Sequence, residues 1–142
     1  MAAASLSALD WHGLAIPRRI LLVEGDQRRT DRLVGLADTW CDHTGDPEEA
    51  IRWLEQRAYT DLWLNHDLGC EPLNGRTVSL WLCAHPLAQP WLRTRVHSAN
   101  EVSAPKIVRE LTAAGRPAVW TRYHAIVEAA QQAVQKALGN GG

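Results

Sequence analysis

A chain of 142 residues suffices for one domain that buries roughly 68–70% of its unfolded surface, so it needs neither a metal nor a disulfide to fold. Apolar residues make up 46% of it, with seven Trp and no Phe; Trp of this kind fills core and interface, and an exposed one marks a binding surface. The formal net charge of -1 supplies no field that recruits nucleic acid or an anionic membrane, and three cysteines without CxxC spacing argue against both a zinc knuckle and a disulfide framework.

Residues 1 to 17 are Ala/Ser-rich, then mixed, and end at Pro17; they read as an arm outside the core, with Trp11 as its anchor. The arm lacks a basic leader and is broken by Asp10 and His12, so it does not read as a signal peptide. No apolar run approaches the roughly 20 residues that span a bilayer, and reduced thiols at Cys41, Cys70 and Cys83 fit a cytoplasmic protein without membrane contact. Ile20 to Val23 is a continuous apolar run that suits a central parallel strand, and it ends in Glu24, Gly25 and Asp26. Arg28 to Ala37 places Leu33, Leu36 and Ala37 at helical spacing, with its arginines on a solvated face. Thr39 to Thr44 forms a short second strand. Asp46 before Pro47 is a helix start, and that helix runs to about Arg57, burying Ala50, Ile51 and Leu54.

Asp61 to Leu64 is the third strand, and it stops where Asn65, His66 and Asp67 arrive together. Asn74 caps a helix carrying Val78, Trp81 and Leu82 that stops before Pro86, which makes His85 a C-terminal helix residue. Leu92 to Val96 is the fourth strand, followed at once by His97, Ser98 and Asn100. Ser103 then caps a helix with Ile107, Val108 and Leu111 that ends at Gly115. Pro117 to Trp120 is a fifth strand, followed by Thr121 and Arg122, and the last helix runs from about Tyr123 to Leu138. Five strands alternating with five helices predict an α/β fold: a five-stranded parallel doubly wound sheet in a three-layer α/β/α arrangement, the flavodoxin-like class. The domain spans 18–138, with 139–142 as a tail.

In such a sheet ligands bind outside the carboxyl ends of the strands. Glu24, Asp26, Asn65, His66, Asp67, His97, Ser98 and Asn100 are expected to share one crevice there, with Arg122 at its border. A lone Asp or Asn after a strand usually makes a turn or a cap. Acids after one strand, His-Asp after another and His-Ser after a third are harder to obtain from turn chemistry alone.

The order of elements, ILLVEGD at the first strand, Gly75, Ser98-Ala99 and Arg122 resemble a response-regulator receiver domain. In that family an acidic pair binds Mg²⁺, an Asp ending the third strand accepts phosphate, a Thr or Ser senses it and a Lys clamps it. Here Gly25 stands where the second acid belongs and Arg122 replaces the Lys, while Asp67 fits the acceptor only by its distance to Gly75. A divergent branch, the cyclic-phosphate processing receiver domains, carries Asp-His-Asp-Leu-Gly and a later His-Ser-x-Asn. Asn65-His66-Asp67-Leu68-Gly69 and His97-Ser98-Ala99-Asn100 are similar in content and order, and the likeness covers roughly residues 19 to 125.

That resemblance implies action on cyclic phosphates such as those left by RNA cleavage or repair, with a phosphate-containing small molecule or an RNA end as partner. Opening a cyclic phosphodiester needs a base, an acid and donors for the phosphoryl oxygens. His66 and His97 supply the first two, and Asp67 orients one imidazole. Asn65, Ser98, Asn100, Arg122 and the free N–H groups of the helix near Ser103 hold the substrate. No cofactor is required; a divalent cation such as Mg²⁺ on Glu24 and Asp26, with Asp67, has suitable oxygen ligands. The alternative is a catalytically inactive, phosphorylation-independent receiver-like module that binds a protein partner or forms a homodimer through its fourth and fifth helices.

Overall fold

Strict alternation of short apolar runs with amphipathic segments gives ten elements in the computed structural model, which describes residues 17–37 and 39–140. The strands are β1 (Arg19–Val23), β2 (Trp40–Thr44), β3 (Asp61–Leu64), β4 (Arg93–Val96) and β5 (Ala118–Trp120). The helices are α1 (Gln27–Ala37), α2 (Pro47–Gln56), α3 (Gly75–Ala84), α4 (Ser103–Ala113) and α5 (Tyr123–Asn140). All strand pairs are parallel and the order across the sheet is β2-β1-β3-β4-β5. The chain first steps outward from β1 to β2 and then returns past β1 to β3. The loops leaving β1 and β3 therefore diverge, and a crevice opens at their carboxyl ends.

Alternation along the strands divides the core between two faces. Leu21, Val23, Leu62, Leu64 and Val96 pack against α2, α3 and α4 through Ala50, Leu54, Val78, Leu82, Ile107 and Leu111. Ile20, Leu22 and Trp63 face Leu33 and Ala37 of α1, with Tyr123 and Ile126 of α5 alongside. Both faces are thus covered, as expected, by three helices and two. On the second face Arg95 and Val119, cross-strand partners on β4 and β5, remain exposed.

Local signals set most of the boundaries. The Asp46 side chain accepts from the Glu48 N–H and Pro47 opens α2; Ala50 and Leu54 are buried, whereas Ile51 is half-buried. Asn74 caps α3 in a reciprocal box with Thr77, and His85 is its C-cap. One expected cap is corrected: Ser103 does not cap α4. The Asn100 Oδ1 accepts from the Val102 and Ser103 N–H groups instead, because a short carboxamide reaches the backbone two and three residues on. Of the tryptophans, Trp63 lies in the core, Trp53, Trp81 and Trp120 are half-buried, and Trp40 and Trp91 are exposed. Trp40 carries the Arg19 guanidinium 4.7 Å above its ring. The expected arm, up to residue 16 and with its Trp11, falls outside the described residues. No helix among the described residues is long and apolar enough to cross a membrane.

Candidate functional site

The parallel register sets Val23, Leu64 and Val96 side by side. The ladder continues one residue further: the Glu24 N–H bonds to Thr44 O, the Asn65 N–H to Val23 O and the His97 N–H to Leu64 O, each at 3.0 Å. Glu24, Asn65 and His97 thereby become neighbours at the rim, although 73 residues separate the first from the last.

Their side chains form one buried cluster. The His97 Nε2 donates to Glu24 Oε1 at 2.9 Å, with the imidazole 0% and the carboxylate 1% exposed. The Asn65 Nδ2 donates to Glu24 Oε2 at 3.0 Å, and the Asp26 N–H reaches the same oxygen at 3.1 Å. Burial alone would push the Glu24 carboxyl up, but the hydrogen bonds from His97, the Asp26 N–H and Asn65 outweigh it and hold the group below its ordinary value of 4.5. The His97 Nδ1 is buried without a partner, so the tautomer protonated on Nε2 is the one that leaves no N–H orphaned.

Two glycines let the loops close over this cluster. A Cβ on Gly25 would stand 2.4 Å from Leu68 O, and one on Gly75 would stand 2.1 Å from Asn65 O. The Gly75 N–H instead donates to His66 O at 2.8 Å, which brings the start of α3 against the end of β3. Gly25, which the sequence comparison marks as a missing acid, is where the β1–α1 turn touches the loop after β3.

The other expected site residues are distributed as follows. The His66 Nδ1 pairs with Asp67 Oδ1 at 2.6 Å, the imidazole largely covered and Asp67 exposed. His66 and His97 do not bond to a common group: one engages Asp67, the other Glu24. The Asp26 Oδ1 accepts from the Arg29 N–H and so caps α1. Ser98 is buried; its hydroxyl accepts from the Asn100 N–H and its carbonyl from the Trp120 indole. Asn100 is engaged with the first turn of α4, so the N–H groups expected to be free there are satisfied. Arg122 is paired with Glu101 and lies over the Trp120 ring.

An open cleft of about 380 Å³ lies at this rim, lined by Glu24, Asp26, Arg29, Asn65, Asp67 and Ala99 among others. Arg29 is its cation and also sits 4.9 Å above the Tyr123 ring. It was expected only as part of a solvated helix face. The signal available for it is its place three residues after the capping Asp26, one turn into a helix that opens at the crevice. Hollows of about 410 and 530 Å³ occupy the opposite end of the sheet, around Arg93 and around Trp81 and Trp91.

The residues do not fit a divalent ion of the receiver kind. Both Glu24 oxygens already receive N–H donors, Gly25 contributes no carboxylate, and the Asn65 side chain presents its amide to Glu24. Among the described residues no three His, Cys, Asp or Glu side chains gather as a metal-holding group. Of the pair expected around an ion, it is the Asp26 backbone N–H, not the Asp26 carboxylate, that meets Glu24.

The parallel five-stranded sheet with polar groups at its carboxyl rim defines a receiver-like α/β domain. Residues 20–113 match the model of the Cyclic-phosphate processing Receiver domain, and the chain belongs to that family. Solved structures agree on the fold. A CheY-like response regulator receiver domain protein from Methanospirillum hungatei is 12% identical, covers 88% of this chain and 99% of its own, and has a TM-score of 0.57. Chemotaxis protein CheY4 of Vibrio cholerae is 10% identical over 82% of this chain and 98% of its own, with a TM-score of 0.58. A Burkholderia pseudomallei response regulator, solved with a phosphorylated aspartic acid, a calcium ion and citrate, is 14% identical over 87% of this chain and 75% of its own, with a TM-score of 0.58. No curated protein matches the chain.

Proposed function

We propose that this chain binds a cyclic phosphodiester, such as a 2',3'-cyclic phosphate on a nucleotide or an RNA end, in the cleft between Arg29 and Asp67, and opens its ring by acid–base catalysis on His66. The observation that carries the proposal is the 2.6 Å pairing of the His66 Nδ1 with Asp67 Oδ1: Asp67 is part of the cleft wall, and His66, which does not itself line the cleft, is tied to its edge through that carboxylate. A carboxylate accepting from Nδ1–H fixes the tautomer and leaves the Nε2 lone pair to take a proton from water. Water attacks phosphorus, the ring P–O bond breaks, and the proton returns from Nε2 to the leaving oxygen. Arg29 and the positive end of α1 meet the non-bridging oxygens.

On this reading His97 works by holding Glu24 rather than by touching substrate. Asn65 works by tying the loop down, since its Nδ2 also donates to Asp67 O at 3.0 Å. His66→Ala is expected to lower turnover of a 2',3'-cyclic nucleotide by about 10²–10⁴-fold while the circular dichroism of the fold is kept. Turnover equal to that of the wild type would remove His66 from the chemistry.

A second reading is favoured by α5, where Val134, 59% exposed, shares a hollow with the exposed Leu36 of α1, and Leu138, one turn further on, is 72% exposed. A module without turnover would use this stripe to pair with a partner or a second copy. A strict monomer in solution scattering counts against the self-association form; a dimer together with absent turnover supports it.

A further inference from the structure

The cleft carries one inference that rests on the cyclic-phosphate reading. A site that grips phosphate through a divalent ion needs oxygen ligands with lone pairs left open to the ion. Glu24, at the floor, gives three of its roughly four lone-pair positions to N–H donors: His97 Nε2 on one oxygen, Asn65 Nδ2 and the Asp26 backbone on the other. Asn65 decides this outcome. Its Nδ2 stands 3.0 Å from Glu24 Oε2, and a carboxylate in that place would face Glu24 at a similar distance. Two buried carboxylates so close do not both ionise unless a cation joins them, whereas a carboxamide supplies a donor and removes the need. Gly25 cannot restore an acid, because its Cβ would collide with Leu68 O.

The charges left around the cleft are Glu24, Asp26 and Asp67 against Arg29. Without an ion, such surroundings oppose a second negative charge on the ligand more than the first. We propose that this cleft takes its phosphoryl ligand without a divalent cation and selects a singly charged diester over a doubly charged monoester, with Asn65 as the residue that sets the ion independence. A cyclic diester carries one negative charge. Hydrolysis breaks one ring P–O bond, adds the hydroxyl of water to phosphorus and its proton to the leaving oxygen. The monoester formed then loses a proton to solvent above its second pKa near 6, so the product approaches two charges and is released.

Thermal unfolding of the full chain in EDTA and in millimolar Mn²⁺ or Mg²⁺ tests the first half. The wild type is expected to melt at the same temperature in both. Asn65→Asp is expected to be weakened in EDTA and to recover with the ion, because binding to the folded state alone stabilises it. Asn65→Ser loses the donor without adding charge and is expected to show no response; together with the wild type it decides the matter should Asn65→Asp fail to fold. A wild-type melting temperature raised by the ion overturns the proposal.

Calorimetric titration in EDTA tests the second half, using His66→Ala so that the ring stays closed. A 2',3'-cyclic nucleotide is expected to bind about tenfold or more tightly than the matching 3'-monophosphate above pH 7. Equal affinities overturn the selection. Binding of neither removes the cyclic-phosphate reading and the selection with it, whereas the ion comparison uses no nucleotide and stands or falls alone.

Discussion

His97→Ala is expected to cost about 1.5–3 kcal/mol of folding stability or more, the range for losing a buried hydrogen bond to a charged group. The imidazole is fully buried and supplies one of three donors to Glu24, so its loss leaves a buried carboxylate short of a hydrogen bond and opens a cavity. Chemical denaturation measures the loss, and the double variant with Glu24→Ala separates its causes. With both side chains gone, the double variant should lose much less in total than the sum of the two single losses. Strict additivity would mean that the 2.9 Å contact contributes nothing as a pair.

The same pair sets an acid limit. The folded value of Glu24 lies below the ordinary 4.5, so the unfolded chain takes up the proton first. The stabilisation is fully present above about pH 4.5 and is lost as the pH falls through the folded value. Glu24→Gln should flatten this part of the stability profile. A wild-type profile that coincides with the variant's below pH 4.5 would contradict the assignment.

Gly75→Ala is expected to destabilise by about 3 kcal/mol or more, beyond the ordinary overpacking range, because the new Cβ would lie 2.1 Å from a main-chain oxygen. A backbone atom cannot rotate away as a side chain can. Relief requires the start of α3 to leave the end of β3, which breaks the Gly75 N–H bond to His66 O and moves the His66–Asp67 pair. Turnover should fall in the same variant even where it remains folded. Amide spectra should show shifts spreading from residue 75 to residues 65–68. A variant within about 0.5 kcal/mol of the wild type would show that α3 shifts easily and that this close approach does not position the site.

The fold was legible because its signals are local. Ile20 to Val23 announces a strand covered on both faces, Asp46-Pro47 and Asn74 announce helix starts within a few residues, and the structure follows each. Asn100 was misread for a reason of the same kind. Ser103 is an equally good capping residue in isolation, and only the path of the turn after β4 presents the carboxamide, rather than the hydroxyl, to the open N–H groups. Arg29 looked like one more charge on a wet helix face, since its position at the cleft depends on where α1 starts relative to the sheet rim.

The candidate site was legible as a set of residue types at strand ends, but not as a set of partners. The sequence by itself determined that polar groups follow β1 and β3, since an apolar run that stops abruptly fixes where its strand ends, and β4, Arg-Thr-Arg-Val, was placed by alternation instead. Which of these groups meet was decided by parallel register, which aligns Glu24, Asn65 and His97 across three strands, and by two close backbone approaches that only glycine permits. Hydrogen bonds act over about 3 Å. Residues 73 positions apart come within that reach only after the whole sheet has assembled.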